Sequence, residues 1–320
     1  MSDWGKGAVN NNIGWGQGSV NNTIDWGVVY EVSESGDTDI VGLLPETRLV
    51  FSVKTDNAGT SGTNQFTIPT TGSGYSYDIE TSDGQTITGN TGNTTITFPS
   101  AGTYDVFITG AFPQFYFNNG GDKLKLIELK NFGTYAQGST SQSRAFWGCS
   151  NLVISATDTG YFGSVTDFNL MFNSCSSLTS FPLIDTSSST SFSQMFYECN
   201  GFTTLDLNSF NTSNVTNIYR MFGSTNLTDL LIYDWDITAL TGAYQIFVYG
   251  SSKISTANYD LTLINWEANL QASFPSGTGY TPVIVIDFNT SKYTLGSTAE
   301  TARASLISNF GWTITDGGGI

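Results

Sequence analysis

Histidine is absent from all 320 residues. That removes the commonest general base, the Ser-His and Cys-His nucleophile pairs and the usual imidazole metal ligand together. Cations are scarce as well: 11 Lys and Arg stand against 27 Asp and Glu, for a net charge of −16, and they occur scattered, with no run of them. A nucleic-acid-binding domain neutralises phosphates with clustered Lys and Arg, so neither DNA nor RNA is expected as a partner. Cysteines number 3, an odd count unlike the paired framework of a small secreted domain. No apolar run approaches the roughly 20 residues that cross a bilayer. The opening residues Met1-Ser2-Asp3-Trp4 show no basic stretch, apolar stretch or lipid-anchor Cys. The expectation is a protein that folds where it is made and inserts into no membrane.

What the sequence does hold is Gly at 35 positions, with Ser, Thr and Asn in every segment, together with 39% hydrophobic residues. Such a mixture favours turn-rich β structure around packed cores and is too apolar for a disordered chain.

Two unrelated internal repeats organise the chain. The first has a period of eleven: Trp4-Gly5-Lys6-Gly7-Ala8-Val9-Asn10-Asn11 is followed by Trp15-Gly16-Gln17-Gly18-Ser19-Val20-Asn21-Asn22, and Trp26-Gly27 opens a third unit. Two glycines per unit, each costing about 1 kcal/mol in a helix interior, exclude a continuous helix. Regular tryptophans on a segment without a core of its own predict docking through Trp4, Trp15 and Trp26. Residues 1–30 are therefore read as a docking and oligomerisation segment. Residues 31–135 read as a small β-sandwich, because Leu49–Val53, Gln65–Ile68, Tyr75–Ile79, Thr94–Phe98, Tyr104–Ile108 and Phe115–Phe117 are short, mostly alternating runs between Gly, Asn and Asp turns.

The second repeat aligns on Phe146, Phe172, Phe196, Phe222 and Phe247, spaced 24 to 26 residues apart. Met171, Met195 and Met221 precede the middle three. Apolar residues recur four positions upstream (Phe168, Phe192, Ile218) and seven upstream (Val165, Val215, Leu240). Spacings of three, four and seven predict a short helix. The period then changes to two at Leu205-Asp206-Leu207 and Leu230-Leu231-Ile232, which predicts a strand. A unit of helix, turn and strand cannot bury its apolar face alone and must stack on its neighbours. The expected fold class is thus mixed α and β: a small N-terminal β-sandwich, then over 136–253 a leucine-rich-repeat-type solenoid with a strand and short helix per unit. Cys149, Cys175 and Cys199 each follow the aligned Phe by three residues, and stacked repeats place them in one column as buried free thiols. Residues 254–320 depart from the period and read as a cap, with a helical stripe at Tyr259, Leu263, Trp266 and Leu270, a strand at Val283–Ile286 and a capping box at Ser297-Thr298-Ala299-Glu300.

Met171-Phe172-Asn173-Ser174-Cys175-Ser176-Ser177-Leu178, its variant from Met195 to Phe202, and Asn211-Thr212-Ser213-Asn214-Val215 before Met221-Phe222 resemble the BspA-like leucine-rich repeat family of bacterial surface proteins over about 140–250. The first and fifth units lack the Met, and the fourth and fifth lack the Cys. The resemblance implies adhesion through a presented binding face. The eleven-residue repeat, in turn, is similar to N-terminal segments of tail-fibre-like proteins from phages of Bacteroidetes. Together the two imply a virion protein of tail-fibre or receptor-binding type. It would assemble in the host cytoplasm, dock on other virion proteins as a homo-oligomer such as a trimer, and touch a glycan or protein of the host surface. The alternatives are virion decoration, and an adhesin on a bacterial cell surface.

The natural places for a receptor contact are Asp206, Tyr233 and Trp235, on or beside the strands, which read equally as ordinary surface or core of the solenoid. No catalytic residue, cofactor or metal ligand is assigned. Ser35 to Asp39 and Asp78 to Asp83 lack the ligand spacing of a calcium loop, zinc would want closely paired cysteines, and spacing alone places no carboxylate pair across a cleft.

Overall fold

The structure is a computed structural model that describes residues 47–320 and, before them, the strands β1 (Val28–Val29) and β2 (Leu44–Pro45). Trp4, Trp15 and Trp26 lie outside the described residues, so the expected docking role finds no structural counterpart here. The chain divides into two compact units, Met1–Glu46 and Thr47–Ile320. In the first, β1 pairs antiparallel with β2.

The second unit begins with β3 (Leu49–Lys54), β4 (Gln65–Ile68), β5 (Ser76–Thr81), β6 (Thr86–Asn90), β7 (Thr94–Thr97), β8 (Thr103–Ala111) and β9 (Leu126–Asn131). With β10 (Val153–Ile154) these give one six-stranded sheet in the order β10-β9-β3-β8-β5-β6, and a separate ribbon of β4 and β7. Alternation along β5 puts Tyr77, Ile79 and Thr81 inside. β3, in the interior of the sheet, is buried on both faces over Leu49 to Val53. Phe66 of the ribbon lies 6.0 Å from Phe51 and 6.4 Å from Phe117, ring centroid to centroid, which closes the aromatic core between ribbon and sheet.

The unit ends with α1 (Thr256–Ser273), β13 (Val285–Asp287), α2 (Thr298–Ser308) and β14 (Thr313–Thr315). The α1 stripe of Tyr259, Leu263, Trp266 and Leu270 is buried, and Ser255 caps the helix by accepting from the Asn258 N–H. Ser297 caps α2 by accepting from the Ala299 N–H, while Glu300 reaches back to the Gly296 N–H, one residue earlier than a regular capping box.

Between these ends the structure corrects the expected fold class. Among the described residues the fold is mostly strand and turn with two α-helices, not a mixed α and β sandwich plus solenoid. No repeat unit carries the expected α-helix. The short strands there, β10, β11 (Thr204–Asp206) and β12 (Asp229–Leu231), do not join into a sheet running through the units: β10 pairs with β9, and β11 pairs only with β12. Nor do the N-terminal strands form two comparable sheets. Phe115–Phe117, expected as a strand, is irregular backbone.

The cause lies in the backbone around each aligned phenylalanine. Two residues before it, Arg144, Leu170, Gln194, Arg220 and Gln245 have φ between 50° and 61°. Two residues after it stand Gly148, Ser174, Glu198, Ser224 and Tyr249, also at positive φ. A helix needs neither. Their N–H groups do not turn back into the same unit. The N–H of Phe146 donates to Met171 O at 2.8 Å, Phe172 to Met195, Phe196 to Met221 and Phe222 to Ile246, each at 3.0 Å. The residues two before and two after follow the same rule, so each of the first four units is a run of tight turns whose alternate N–H groups bind the unit that follows. Spacings of three and four thus put Val165, Phe168, Met171 and Phe172 inward without a helix.

This backbone sets a rank order. Gln194→Gly relieves a left-handed side chain and Gln194→Val worsens it, so urea denaturation should find the Gly variant the more stable by about 1–2 kcal/mol. A helix would reverse the order, because Gly is the poorer helix former.

Candidate functional site

Register builds three columns across the repeat units. The first is the core column: adjacent rings from Phe146 through Phe172, Phe196 and Phe222 to Phe247 stand 5.1 to 6.1 Å apart, and all five are buried. Beside it run the cysteines. All three are buried and free, with the Cys175 thiol donating to Phe146 O at 3.1 Å and the Cys199 thiol to Phe172 O at 3.0 Å. Burial pushes each thiol well above its ordinary value, which suppresses the reactive thiolate. All three should therefore resist a thiol reagent in the native protein and react at once in denaturant. Fast native labelling of the set would contradict the column.

The second column is polar and exposed. Thr140, Thr166, Thr190, Thr216 and Thr241 each stand six residues before the aligned phenylalanine. From Thr166 onward, every one donates both its N–H and its hydroxyl to the carbonyl of the preceding threonine, the N–H at 2.8 or 2.9 Å.

The third column carries the best candidate for recognition. Arg220 reaches from the fourth unit into the fifth: its Nε and Nη2 donate to Gln245 Oε1 at 2.8 and 2.6 Å. The guanidinium carbon lies 4.8 Å from the Tyr219 ring centroid and 5.6 Å from that of Tyr249. Tyr219 and Tyr244 stack at 6.3 Å with 14° between their planes, and Gln245 Nε2 donates to the Tyr244 hydroxyl at 3.3 Å. Tyr244 is 53% exposed and Tyr249 73%. Among the described residues no carboxylate pairs with Arg220, whereas Arg48 meets Glu80 and Arg303 meets Asp316. A rigid guanidinium between tyrosines offers flat apolar faces and fixed hydrogen-bond donors, which is chemistry for holding a ligand.

Of the residues expected to meet a receptor, Asp206 is exposed and accepts from the Asn208 N–H, and Tyr233 is half-buried. Trp235 requires a correction. It is 1% exposed and its indole N–H donates to Leu207 O at 2.8 Å, so it belongs to the core. Tyr219, Arg220, Tyr244, Gln245 and Tyr249 were missed, although each sits at a fixed offset of two or three from an aligned phenylalanine. Reading the non-apolar columns of the same alignment finds them. Among the described residues no group of three or more Cys, Asp or Glu could hold a metal, and no helix is long and apolar enough to cross a membrane. Asp78 accepts from the Gly89 N–H and Asp83 from Thr81 and Gln85, so these acids close turns.

The structure thus defines a mostly β, turn-laddered chain with an exposed tyrosine and arginine group on its repeat units. Residues 140–259 match the family described as "Mycoplasma protein of unknown function, DUF285", in accord with the BspA-like resemblance of that stretch. Neither a curated protein nor a solved structure matches the chain.

Proposed function

We propose that the chain is an attachment protein of a virion, of tail-fibre or receptor-binding type. Its N-terminal tryptophan repeat docks it on other virion proteins as a homo-oligomer, and its repeat units meet a glycan or protein of the host surface. The observation that carries this reading is the group of half-buried Tyr219 and Arg220 with exposed Tyr244 and Tyr249, a fixed set of aromatic faces around a cation left without a carboxylate among the described residues. Contact surfaces are enriched in Tyr and Arg: Tyr delivers area at little cost in side-chain freedom, and Arg220, whose ordering costs more, is already held by Gln245.

A second reading, an adhesin on a bacterial cell surface, is favoured by the family match of 140–259. Immunogold labelling separates the two, since label on particles supports the first and label on cells lacking particles the second. In either case the purified full chain should bind susceptible cells and compete with adsorption without shortening the surface polysaccharide. Release of reducing ends would overturn the attachment reading in favour of an enzyme.

A further inference from the structure

The last repeat unit leaves hydrogen bonds unmade. At each earlier junction the residue two before the aligned phenylalanine donates its N–H to the next unit: Leu170 to Ser193 O at 3.0 Å, Gln194 to Tyr219 O at 2.8 Å, Arg220 to Tyr244 O at 3.3 Å. The residue two after does likewise, as Ser174 to Tyr197 O, Glu198 to Gly223 O and Ser224 to Val248 O. In the fifth unit the corresponding N–H groups of Gln245 and Tyr249 find no acceptor among the described residues. The column of stacked rings stops at the same place. Tyr219 lies on one face of Tyr244, and among the described residues no ring is stacked on the other.

A sixth unit would supply, from the single residue equivalent to Tyr244, both a ring to stack on Tyr244 and a carbonyl oxygen to accept from the Gln245 N–H. That is the relation Tyr244 bears to Tyr219 and Arg220. A ligand filling this place therefore needs a flat face with a pendant carbonyl oxygen. The surrounding groups ask for acceptors too: Arg220 keeps donors beyond the two given to Gln245, and the Tyr244 hydroxyl, already accepting from Gln245, has its proton to give. Sugar rings stack on tyrosine, and the sugar class that carries a neutral amide on its ring, with the carbonyl carbon two bonds away, is the N-acetylated hexosamine. A uronate would offer an oxygen as well, but a polyuronate approaches a chain of net charge −16 against repulsion.

We infer that the fourth and fifth repeat units bind a neutral glycan through an N-acetylhexosamine, its ring on the open face of Tyr244 and its acetamido oxygen on the free donors of Gln245 and Arg220. This inference rests on the attachment reading and names the chemistry of its ligand. The test is titration of the full chain with tetramers of N-acetylglucosamine and of N-acetylgalactosamine, against cellotetraose, which lacks the acetamido group, and tetragalacturonate. One of the N-acetylated tetramers should bind at least tenfold tighter than cellotetraose and tetragalacturonate. Tyr244→Ala and Arg220→Ala should each weaken it at least tenfold, and Tyr161→Ala, an exposed tyrosine outside the group, should not. Failure of both N-acetylated tetramers to bind, equal binding of cellotetraose, preference for tetragalacturonate, or binding indifferent to Tyr244 would each overturn it. If the tetramers fail while Tyr244→Ala still abolishes binding to host cells, the attachment reading stands and only the ligand assignment falls.

Discussion

Phe196→Ala should lower the unfolding free energy by about 3–5 kcal/mol, the range for deleting a large ring from a well-packed core. Phe196 stands in the middle of the core column, fully buried, with the rings of Phe172 and Phe222 each 6.1 Å away on either side and Phe181 and Phe202 at 5.0 and 5.6 Å. Neighbours fixed from both sides cannot collapse into the space, so most of the cavity remains. Phe247→Ala, at the end of the column and touching Phe222 and Phe288, should cost less. Urea midpoints of the two variants check the order; equal losses would mean that the column does not transmit its rigidity from unit to unit.

Lys125→Met should cost as much, about 3–5 kcal/mol, by breaking a buried polar clamp. Lys125 is 1% exposed, and its ammonium donates to the carbonyls of Gly62 and Gln65 at 2.7 and 2.9 Å and to the Ser61 hydroxyl at 2.8 Å. Methionine keeps the volume but removes the charged donor, which the Gln65 N–H on Gly62 O and the Ser61 hydroxyl on Gln65 O do not replace. Asp122, equally buried, holds the same loop through the N–H groups of Thr60, Ser61 and Thr67. Burial alone would raise its carboxyl, but the hydrogen bonds from Ser61 and Thr67 and the nearby Lys125 charge outweigh that and hold it below the ordinary carboxylate value. A group whose folded value is depressed stabilises fully above its unfolded value, near 4, and loses that contribution as pH falls through the folded one. Wild-type stability should therefore decline below about pH 4, and Asp122→Asn should flatten that part of the curve while lowering the plateau.

Burial was legible in the sequence where backbone conformation was not. The aligned phenylalanines, the cysteines three residues on and the stripe at Val165, Phe168 and Met171 are all buried, because any conformation that repeats in register must carry equivalent residues inward. The same stripe misled on conformation. Runs of tight turns reproduce the three and four spacing of a helix, and of the left-handed positions that distinguish them, two before and two after each phenylalanine, a glycine fills one alone, Gly148. At the C-terminal end helix caps and stripe coincide, so α1 and α2 were readable. Strand β9, Leu126–Asn131, alternates poorly and carries Glu128 and Lys130, and it went unread; its partners β3 and β10 lie far off in sequence. Trp235 offers a receptor contact in sequence because nothing local shows that Leu207 O satisfies its indole.

The most direct test of the whole account is binding of the purified full chain to susceptible host cells, measured for the wild type, for Arg220→Ala combined with Tyr244→Ala, and for Tyr161→Ala, with circular dichroism to confirm folding. The double variant should fold normally and lose at least tenfold in cell binding, while Tyr161→Ala binds like the wild type. Wild-type binding by a folded double variant would contradict it, and the tyrosine and arginine group would then be no more than an ordinary surface of the repeat units.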